Sequence, residues 1–332
     1  MTRGPVRLHI CLGTRCNNNC VFCMEEDREG RAERLGLIDT QAALRILESA
    51  ASRDSVMFTA GEPSLRPDLP DLVRRASRMG FRQVGLISNG RRLAYPRYLH
   101  SLVRAGLNSI VISVHGHTAK LHDSQTRTPG SFEQTVAALS NVAAARAGGV
   151  RLRFSTATVL SLRNMDDVGA ILDFLGGFAP DERIFNAIQP LGRSDRLFVS
   201  LVPRYTEMVA AFAAGLGQAV RGIAGVRVED VPACVTGPLP PAVVGFVENH
   251  GHYEPEAEIL DGVGPKPHPA VGAGPVADAQ GDSLALVTRE RLDEVLRTKG
   301  PRCPECVHFG TCLGVWRRYV AAYGFDEFVP VR

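Results

Sequence analysis

Short apolar runs alternate with helical patterns through the first 195 residues, and this alternation is the strongest constraint on the fold. Six strand-length runs occupy residues 6–12, 55–60, 82–88, 108–114, 150–160 and 183–192. Helical patterns follow at 40–51, 69–80, 95–106, 131–148 and 166–176. Strands that alternate with helices form a parallel sheet covered by helices. The sequence therefore predicts an α/β fold, a partial (β/α)6 TIM-like barrel.

Turn-forming polar residues follow the predicted strands. They occupy residues 16–23, 61–63, 88–90, 115–116 and 189–190. The carboxyl ends of parallel strands share one edge, and α/β barrels place their chemistry there. We therefore expect these five turns on one common face.

Three of the eight cysteines, Cys16, Cys20 and Cys23, follow the first predicted strand at a C-x3-C-x2-C spacing, with no fourth ligand nearby. Structural zinc requires four ligands in a closed tetrahedron. Three thiolates fit better with an iron–sulfur cluster that binds something at its fourth iron. Cys11, which lies within the strand, is predicted to be a core residue.

A second cysteine group lies near the other end of the sequence. Cys303, Cys306 and Cys312 have a C-x2-C-x5-C spacing, and Cys234 is the other downstream cysteine. Four thiolates suffice for one closed cluster, and a structural four-cysteine zinc site remains an open alternative.

Composition excludes several classes of protein. The longest apolar runs are too short to span a membrane, and the first ten residues lack a signal-peptide pattern, which favours the cytoplasm and reduced thiols. The arginines are scattered without a basic, aromatic-interleaved stripe, so no nucleic-acid partner is expected. A zinc- or cluster-bearing scaffold or nucleic-acid-binding protein is the non-enzyme alternative.

The segment from Cys16 to Cys23, C-x3-C-x-aromatic-C with Phe22 as the aromatic, resembles the signature of the radical S-adenosylmethionine (SAM) enzymes. The resemblance implies a 4Fe–4S cluster on Cys16, Cys20 and Cys23, with SAM bound at the fourth iron. It also implies an external electron donor of the flavodoxin or ferredoxin type, which would reduce the cluster. The activity that the resemblance implies is reductive cleavage of SAM to a 5′-deoxyadenosyl radical, which would abstract a hydrogen from a substrate carbon.

The other strand-end turns extend the resemblance over residues 5–195. Residues 60–63 resemble the family's Gly-Gly-Glu-Pro turn, with an alanine in place of the first glycine, and we expect this alanine to be tolerated where φ stays negative. His115, where relatives carry aspartate, is the catalytic candidate. The resemblance implies these cofactor-binding residues: Phe22, Ala60, Gly61, Glu62, Pro63, Ser88, Asn89, Ser113 and Arg127.

The C-terminal cysteines resemble the auxiliary-cluster motif of SPASM or shorter twitch domains, with Trp316 at the position of a further cysteine. We expect a barrel domain at 1–197 and a smaller α+β domain at 198–332, with one auxiliary 4Fe–4S cluster on Cys234, Cys303, Cys306 and Cys312. A Gly/Pro-rich loop at 232–281 is expected to line the substrate entrance. Its histidines, His250, His252 and His268, are interpreted as exposed loop residues.

The substrate is expected to be a small natural-product intermediate of the sugar, nucleoside or aminocyclitol type, which is oxidised, epimerised or rearranged. Maturation of a ribosomal peptide is the alternative. The first strand begins within a dozen residues, so neither a leader-peptide-binding module nor a cobalamin-binding domain is expected before the barrel.

Overall fold

A ten-stranded sheet forms the centre of the protein in the computed structural model, which describes residues 7–24, 38–245, 250–255, 276–277, 281 and 283–332. Seven parallel strands lie side by side in sequence order. They are β1 (Arg7–Cys11), β2 (Ser55–Thr59), β3 (Gln83–Ser88), β4 (Ser109–Ser113), β5 (Arg153–Leu160), β6 (Glu182–Ala187) and β7 (Val226–Glu229).

Helices connect and cover these strands. They are α1 (Thr40–Ser49), α2 (Leu69–Arg78), α3 (Pro96–Ala105), α4 (Ala119–Thr126), α5 (Ser131–Ala147), α6 (Val168–Gly176), α7 (Arg193–Arg196), α8 (Phe198–Leu201) and α9 (Tyr205–Gln218). Helix α1 begins at the N-cap Asp39, whose carboxylate accepts a hydrogen bond from the Ala42 N–H at 2.6 Å.

The edge of the sheet beyond β1 is completed by the C-terminal part of the chain. Strand β8 (His250–Pro255) pairs with β1 in parallel, and β10 (Ser283–Thr288) pairs antiparallel with both β8 and β9 (Val276–Ala277). The remaining elements are α10 (Arg289–Leu296), a two-stranded ribbon of β11 (Arg297–Thr298) and β12 (Val315–Trp316), and α11 (Arg317–Tyr323).

The parallel strands are buried because helices cover them, which is why their sequences are almost continuously apolar. Phe58, Leu86, Ile110 and Phe154 on four neighbouring strands have no exposed surface. These contacts form one hydrophobic core.

The predicted α/β class and partial barrel are confirmed, and the six predicted strands are present, although β6 ends earlier, at Ala187. Strand β7 continues the sheet beyond residue 197, and the division of the chain into two domains there stays a prediction.

The expectation of an unbroken loop over 232–281 was wrong for its described part. His250 and His252 lie in β8, because hydrogen bonding to β1 and β10 gives this segment a strand frame that its Gly/Pro-rich sequence does not reveal. His268 lies outside the described residues. Among the helices that the structure describes, none is both long and apolar enough to cross a membrane.

Replacement of Phe154 by alanine should lower the free energy of unfolding by about 3–5 kcal/mol, because it removes a fully buried aromatic ring and leaves a cavity. Urea denaturation measures this difference. Val199→Ala, at a side chain that is 86% exposed, is the control and should change the free energy by less than about 0.5 kcal/mol.

Candidate functional site

Residues 12–24, which we name the cysteine loop, leave β1 at the carboxyl edge of the sheet. The loop carries Cys16, Cys20 and Cys23, all half-buried and none in a disulfide. The turns after β2, β3, β4 and β6 lie at the same edge, since all these strands are parallel and adjacent. The predicted common face is therefore present.

The end of α4 holds the middle of the cysteine loop. The Asn19 N–H donates to the Thr126 carbonyl at 2.9 Å, and the Val21 N–H donates to the Gln125 carbonyl at 2.8 Å. These bonds satisfy two backbone N–H groups of the loop, which has no neighbouring strand to pair with.

Two arginines hold the loop from other sides. Arg91, just after β3, donates to the carbonyl oxygen of Asn17 and to Oδ1 of Asn18. Arg193, at the start of α7, donates from Nη1 to the carbonyl oxygens of Asn19 at 3.0 Å and Cys20 at 2.6 Å. Each guanidinium satisfies carbonyl groups that the loop conformation leaves unpaired.

Donors also point at the first sulfur. The Asn18 N–H lies 3.4 Å from Sγ of Cys16, and Nδ2 of Asn89 lies 3.9 Å from the same atom. Nδ2 of Asn89 also donates to Oδ1 of Asn17 at 2.7 Å. N–H groups directed at sulfur are typical of iron–sulfur ligation, where they tune the reduction potential.

Glu62 joins the ends of β2 and β3. Its carboxylate accepts hydrogen bonds from the Ser88 hydroxyl at 2.7 Å, the Asn89 N–H at 2.7 Å and the Ser64 N–H at 3.1 Å. The side chain is buried, and this burial raises the pKa of the carboxyl group although the hydrogen bonds oppose the shift. Glu62 thus links the turn after β2 to the turn after β3 by hydrogen bonds.

Ala60 does not meet the condition of a negative φ, because its φ is +68° and lies in the left-handed region. Gly61 follows at +54°, and a Cβ there would meet the Arg15 carbonyl oxygen at 2.5 Å. The Glu62 N–H donates to that same oxygen at 2.8 Å. Docking of the turn against the cysteine loop therefore imposes a backbone conformation that glycine adopts more readily than alanine. Pro63 is buried in the 3-10 turn that follows.

His115 is buried behind the cysteine loop. Its ring meets that of Phe22 edge-on at 4.5 Å between centroids, and its Nδ1 accepts a hydrogen bond from the Val159 N–H at 3.3 Å. The His115 N–H in turn donates to Nδ1 of His122 at 3.2 Å. Burial lowers the pKa of His115 well below its usual value and that of His122 to about 4, so both rings are neutral at pH 7.

Ser113 and Arg127 lie at opposite ends of the α4 connection. Ser113 is half-buried at the end of β4, and Arg127 is exposed just after α4, with φ at +50°. Their contact with SAM stays a prediction, as does a catalytic role for His115.

The second cysteine group joins two distant segments. Cys234 lies in a short turn after β7, close enough to Cys303, Cys306 and Cys312 for their charges to act on it. Burial, followed by these charges, raises the pKa of Cys234 to about 12. The Gly300 N–H donates to Sγ of Cys303 at 3.1 Å.

A buried ion network lies where those segments meet. Arg297 pairs with Asp230 and, at 2.8 Å, with Asp293, while Arg289 reaches Asp293 at 3.0 Å. Trp316 packs against the Arg297 guanidinium at 4.2 Å from its ring centre. Removing one partner would leave a buried charge uncompensated, so the four charges are interdependent.

This network connects the two cysteine-bearing segments. Asp230 precedes Cys234 by four residues, and Arg297 donates from Nη1 to the Gly314 carbonyl at 3.4 Å. The Gly314 N–H then donates to Sγ of Cys312 at 3.3 Å. Arg297 thus ties the end of β7 to the turn that carries Cys312.

Within the part of the chain that the structure describes, no three His, Cys, Asp or Glu side chains are gathered tightly enough to ligate one metal ion. The assignment of ligands in both cysteine groups therefore stays a prediction. The donor chemistry fits iron–sulfur clusters at both places, because thiols with N–H groups directed at sulfur are present in each.

Sequence reasoning missed α4, Arg91 and Arg193. The Gly192-Arg193 pair, just beyond the Gln189-Pro190 turn at the carboxyl edge, was the available signal for the last of these. Cys11, predicted as core, is only half-buried at the end of β1.

The fold and the site define an α/β-barrel protein with a cysteine loop at the edge of the sheet that barrel enzymes use for chemistry. Residues 10–175, half of the chain, match the family model of the radical SAM superfamily. The chain therefore belongs to the radical SAM superfamily, whose members use a 4Fe–4S cluster and SAM.

Two curated relatives match half of the chain or somewhat more. The chain is 31% identical over 169 residues to GTP 3′,8-cyclase of Chlorobaculum tepidum, which covers 50% of this chain and 48% of the relative. It is 29% identical over 200 residues to the AdoMet-dependent heme synthase of Methanosarcina barkeri, which covers 59% and 54%. The chain thus spans about half the length of these curated relatives.

A solved structure of SuiB from Streptococcus suis aligns with 98% of this chain and 76% of its own, at a TM-score of 0.61 and 13% identity. This similarity concerns the fold alone.

Ala60→Gly should raise the free energy of unfolding by about 0.5–1 kcal/mol. It relieves a left-handed alanine conformation that costs the folded state about 1–2 kcal/mol. The greater conformational entropy of glycine in the unfolded chain offsets about 0.4–1 kcal/mol of this gain. Denaturant unfolding measures the change. The matched control Ala144→Gly, at an exposed position within α5, should lose about 1 kcal/mol, and a similar loss at Ala60 would contradict the strain.

Acidification should destabilise the protein between pH 6.5 and 4. The pKa of His122 is about 4 in the folded chain and near 6.5 when unfolded, so the unfolded chain binds the proton first as the pH falls. The loss from His122 alone is about 3 kcal/mol by pH 4. His122→Asn, whose Oδ1 can accept the bond from the His115 N–H, should flatten the measured pH profile of stability by one proton; an unchanged slope would contradict the assignment.

Proposed function

We propose that this protein reductively cleaves SAM at a 4Fe–4S cluster on Cys16, Cys20 and Cys23, and abstracts hydrogen from a carbon of a small-molecule substrate. The observation that carries the proposal is the cysteine loop itself. Arg91, Arg193 and α4 hold its backbone at the carboxyl edge, while its first sulfur receives N–H donors. When bound, the cluster supplies the electron that breaks a carbon–sulfur bond of SAM.

The chain's own residues orient the cofactor and exclude water. Phe22 of the loop and His115 behind it pack ring against ring as an apolar and neutral wall. Glu62 fixes the turns that carry Gly61, Ser88 and Asn89, on which SAM would rest. Ser113 and Arg127 are the proposed partners of the SAM carboxylate, since a hydroxyl and a cation suit an anion.

We further propose one auxiliary 4Fe–4S cluster on Cys234, Cys303, Cys306 and Cys312. The support is the approach of Cys234 to the other three thiols across nearly seventy residues of sequence, and the N–H donors at Cys303 and Cys312. Four thiolates leave no iron open, so this cluster would serve electron transfer or shape the substrate pocket.

The names of two relatives support a small-molecule substrate, because one acts on GTP and the other makes heme. We propose oxidation, epimerisation or rearrangement of a small natural-product intermediate, with a flavodoxin- or ferredoxin-type electron donor. Maturation of a ribosomal peptide is the alternative.

Metal analysis after anaerobic reconstitution tests both sites. The wild type should hold about eight irons and as many sulfides, and it should form 5′-deoxyadenosine with dithionite and SAM. The triple variant Cys16→Ala, Cys20→Ala, Cys23→Ala should keep about four irons and form none. The triple variant Cys303→Ala, Cys306→Ala, Cys312→Ala should also keep about four irons but still cleave SAM.

Cys11→Ala, which removes a thiol outside both groups, is the matched control and should keep the full iron content and activity. Zinc in place of iron at either group, or no 5′-deoxyadenosine from the wild type, would overturn the corresponding proposal. Transfer of deuterium from labelled candidates into 5′-deoxyadenosine then separates small-molecule from peptide substrates.

A further inference from the structure

We propose that Arg193 is a positioning residue whose charge raises the reduction potential of the cluster on the cysteine loop. The inference rests on the proposed function of Cys16, Cys20 and Cys23 as cluster ligands. Neither the signature nor the strand-end turns that carry the family resemblance include this residue.

Arg193 contacts the loop through both its backbone and its side chain. Its N–H donates to the Cys23 carbonyl at 2.9 Å, and its Nη1 bonds the Asn19 and Cys20 carbonyls. Arg193 therefore bonds the backbone carbonyls of both Cys20 and Cys23, two of the three proposed ligands, and restrains the distance between these two residues.

Gly192 makes this close approach possible. Its φ is +58°, and a Cβ at this position would lie 2.0 Å from the Met24 carbonyl oxygen. Only glycine brings the backbone this close to the end of the cysteine loop. The Gly192-Arg193 pair is thus built to seat a guanidinium against the loop.

The position of the charge has an electrostatic consequence. The two acceptors of the guanidinium are neutral carbonyl oxygens, so these bonds leave its positive charge in place. Reduction adds one negative charge to the cluster, and a cation held against the peptide of a ligand favours the reduced form. Arg193 should therefore make the cluster easier to reduce by a donor of fixed potential.

The test is an anaerobic redox titration followed by electron paramagnetic resonance, on the signal that the triple variant of Cys16, Cys20 and Cys23 lacks. Arg193→Gln keeps a hydrogen-bond donor without charge, and Arg193→Lys keeps the charge without the planar fork. Arg193→Gln should shift the midpoint to a more negative potential, while Arg193→Lys should stay near the wild type. Arg74→Met, which removes a cation paired with Asp71 on the exposed face of α2, is the matched charge control and should leave the midpoint unchanged.

An unchanged midpoint in Arg193→Gln, or equal shifts in the Gln and Lys variants, would overturn the electrostatic role. A wild-type chain whose iron content does not depend on Cys16, Cys20 and Cys23 would instead overturn the proposed function. The two failures are distinguishable because the first requires a cluster and the second shows that none is bound there.

Discussion

The backbone of the cysteine loop lies in neither a helix nor a strand, and the rest of the site depends on how other segments satisfy it. Carbonyls of α4 accept its N–H groups, while Arg91 and Arg193 donate to its carbonyls. The turn after β2 adds a bond from the Glu62 N–H to Arg15. Buried backbone groups need such partners, so each contact helps determine where three thiols lie.

Much of the fold could be predicted from local sequence. The strands are buried runs whose apolar character is continuous, and their ends carry the polar turns that meet at one edge. Helix α4 could not be predicted, because its sequence AKLHDSQT buries His122, Gln125 and Thr126 and therefore shows no apolar stripe. Its burial comes from tertiary contacts with the cysteine loop, with Phe132 of α5 and with Ser161 just after β5.

The site was predictable as a set of turns but not in its backbone geometry. The conformation of Ala60 is set by carbonyls of Gly13 and Arg15, far away in sequence, which crowd Gly61. Glu62 was expected to contact the cofactor, and in the structure its carboxylate accepts hydrogen bonds from Ser64, Ser88 and Asn89. The contacts of Arg91 and Arg193 with the cysteine loop could not be predicted, because no sequence pattern distinguishes these two arginines from the other arginines of the chain.

At the C-terminal site, the candidate ligands could be predicted from the sequence but the contacts that hold their segments together could not. Its cysteine spacing was clear in the sequence, whereas the ion network that joins Asp230 to Arg297 was not. The four buried charged residues show no hydrophobic periodicity that would predict their burial. The desolvation cost of these charges is compensated only when both chain segments are in place. The segments that carry Cys234 and Cys312 are therefore joined by charged residues that a reader of the sequence would assign to the surface.

The contact between Arg193 and the cysteine loop joins two segments that are made at very different times during synthesis. Cys20 leaves the ribosome more than 170 residues before Arg193, so the loop is made long before the residue that clamps it. Strands β2 to β6 lie between the two partners in the sequence, and they stand side by side in the folded sheet. The three thiols of the loop thus acquire their final backbone setting only when a segment that follows them by more than 170 residues lies against the loop.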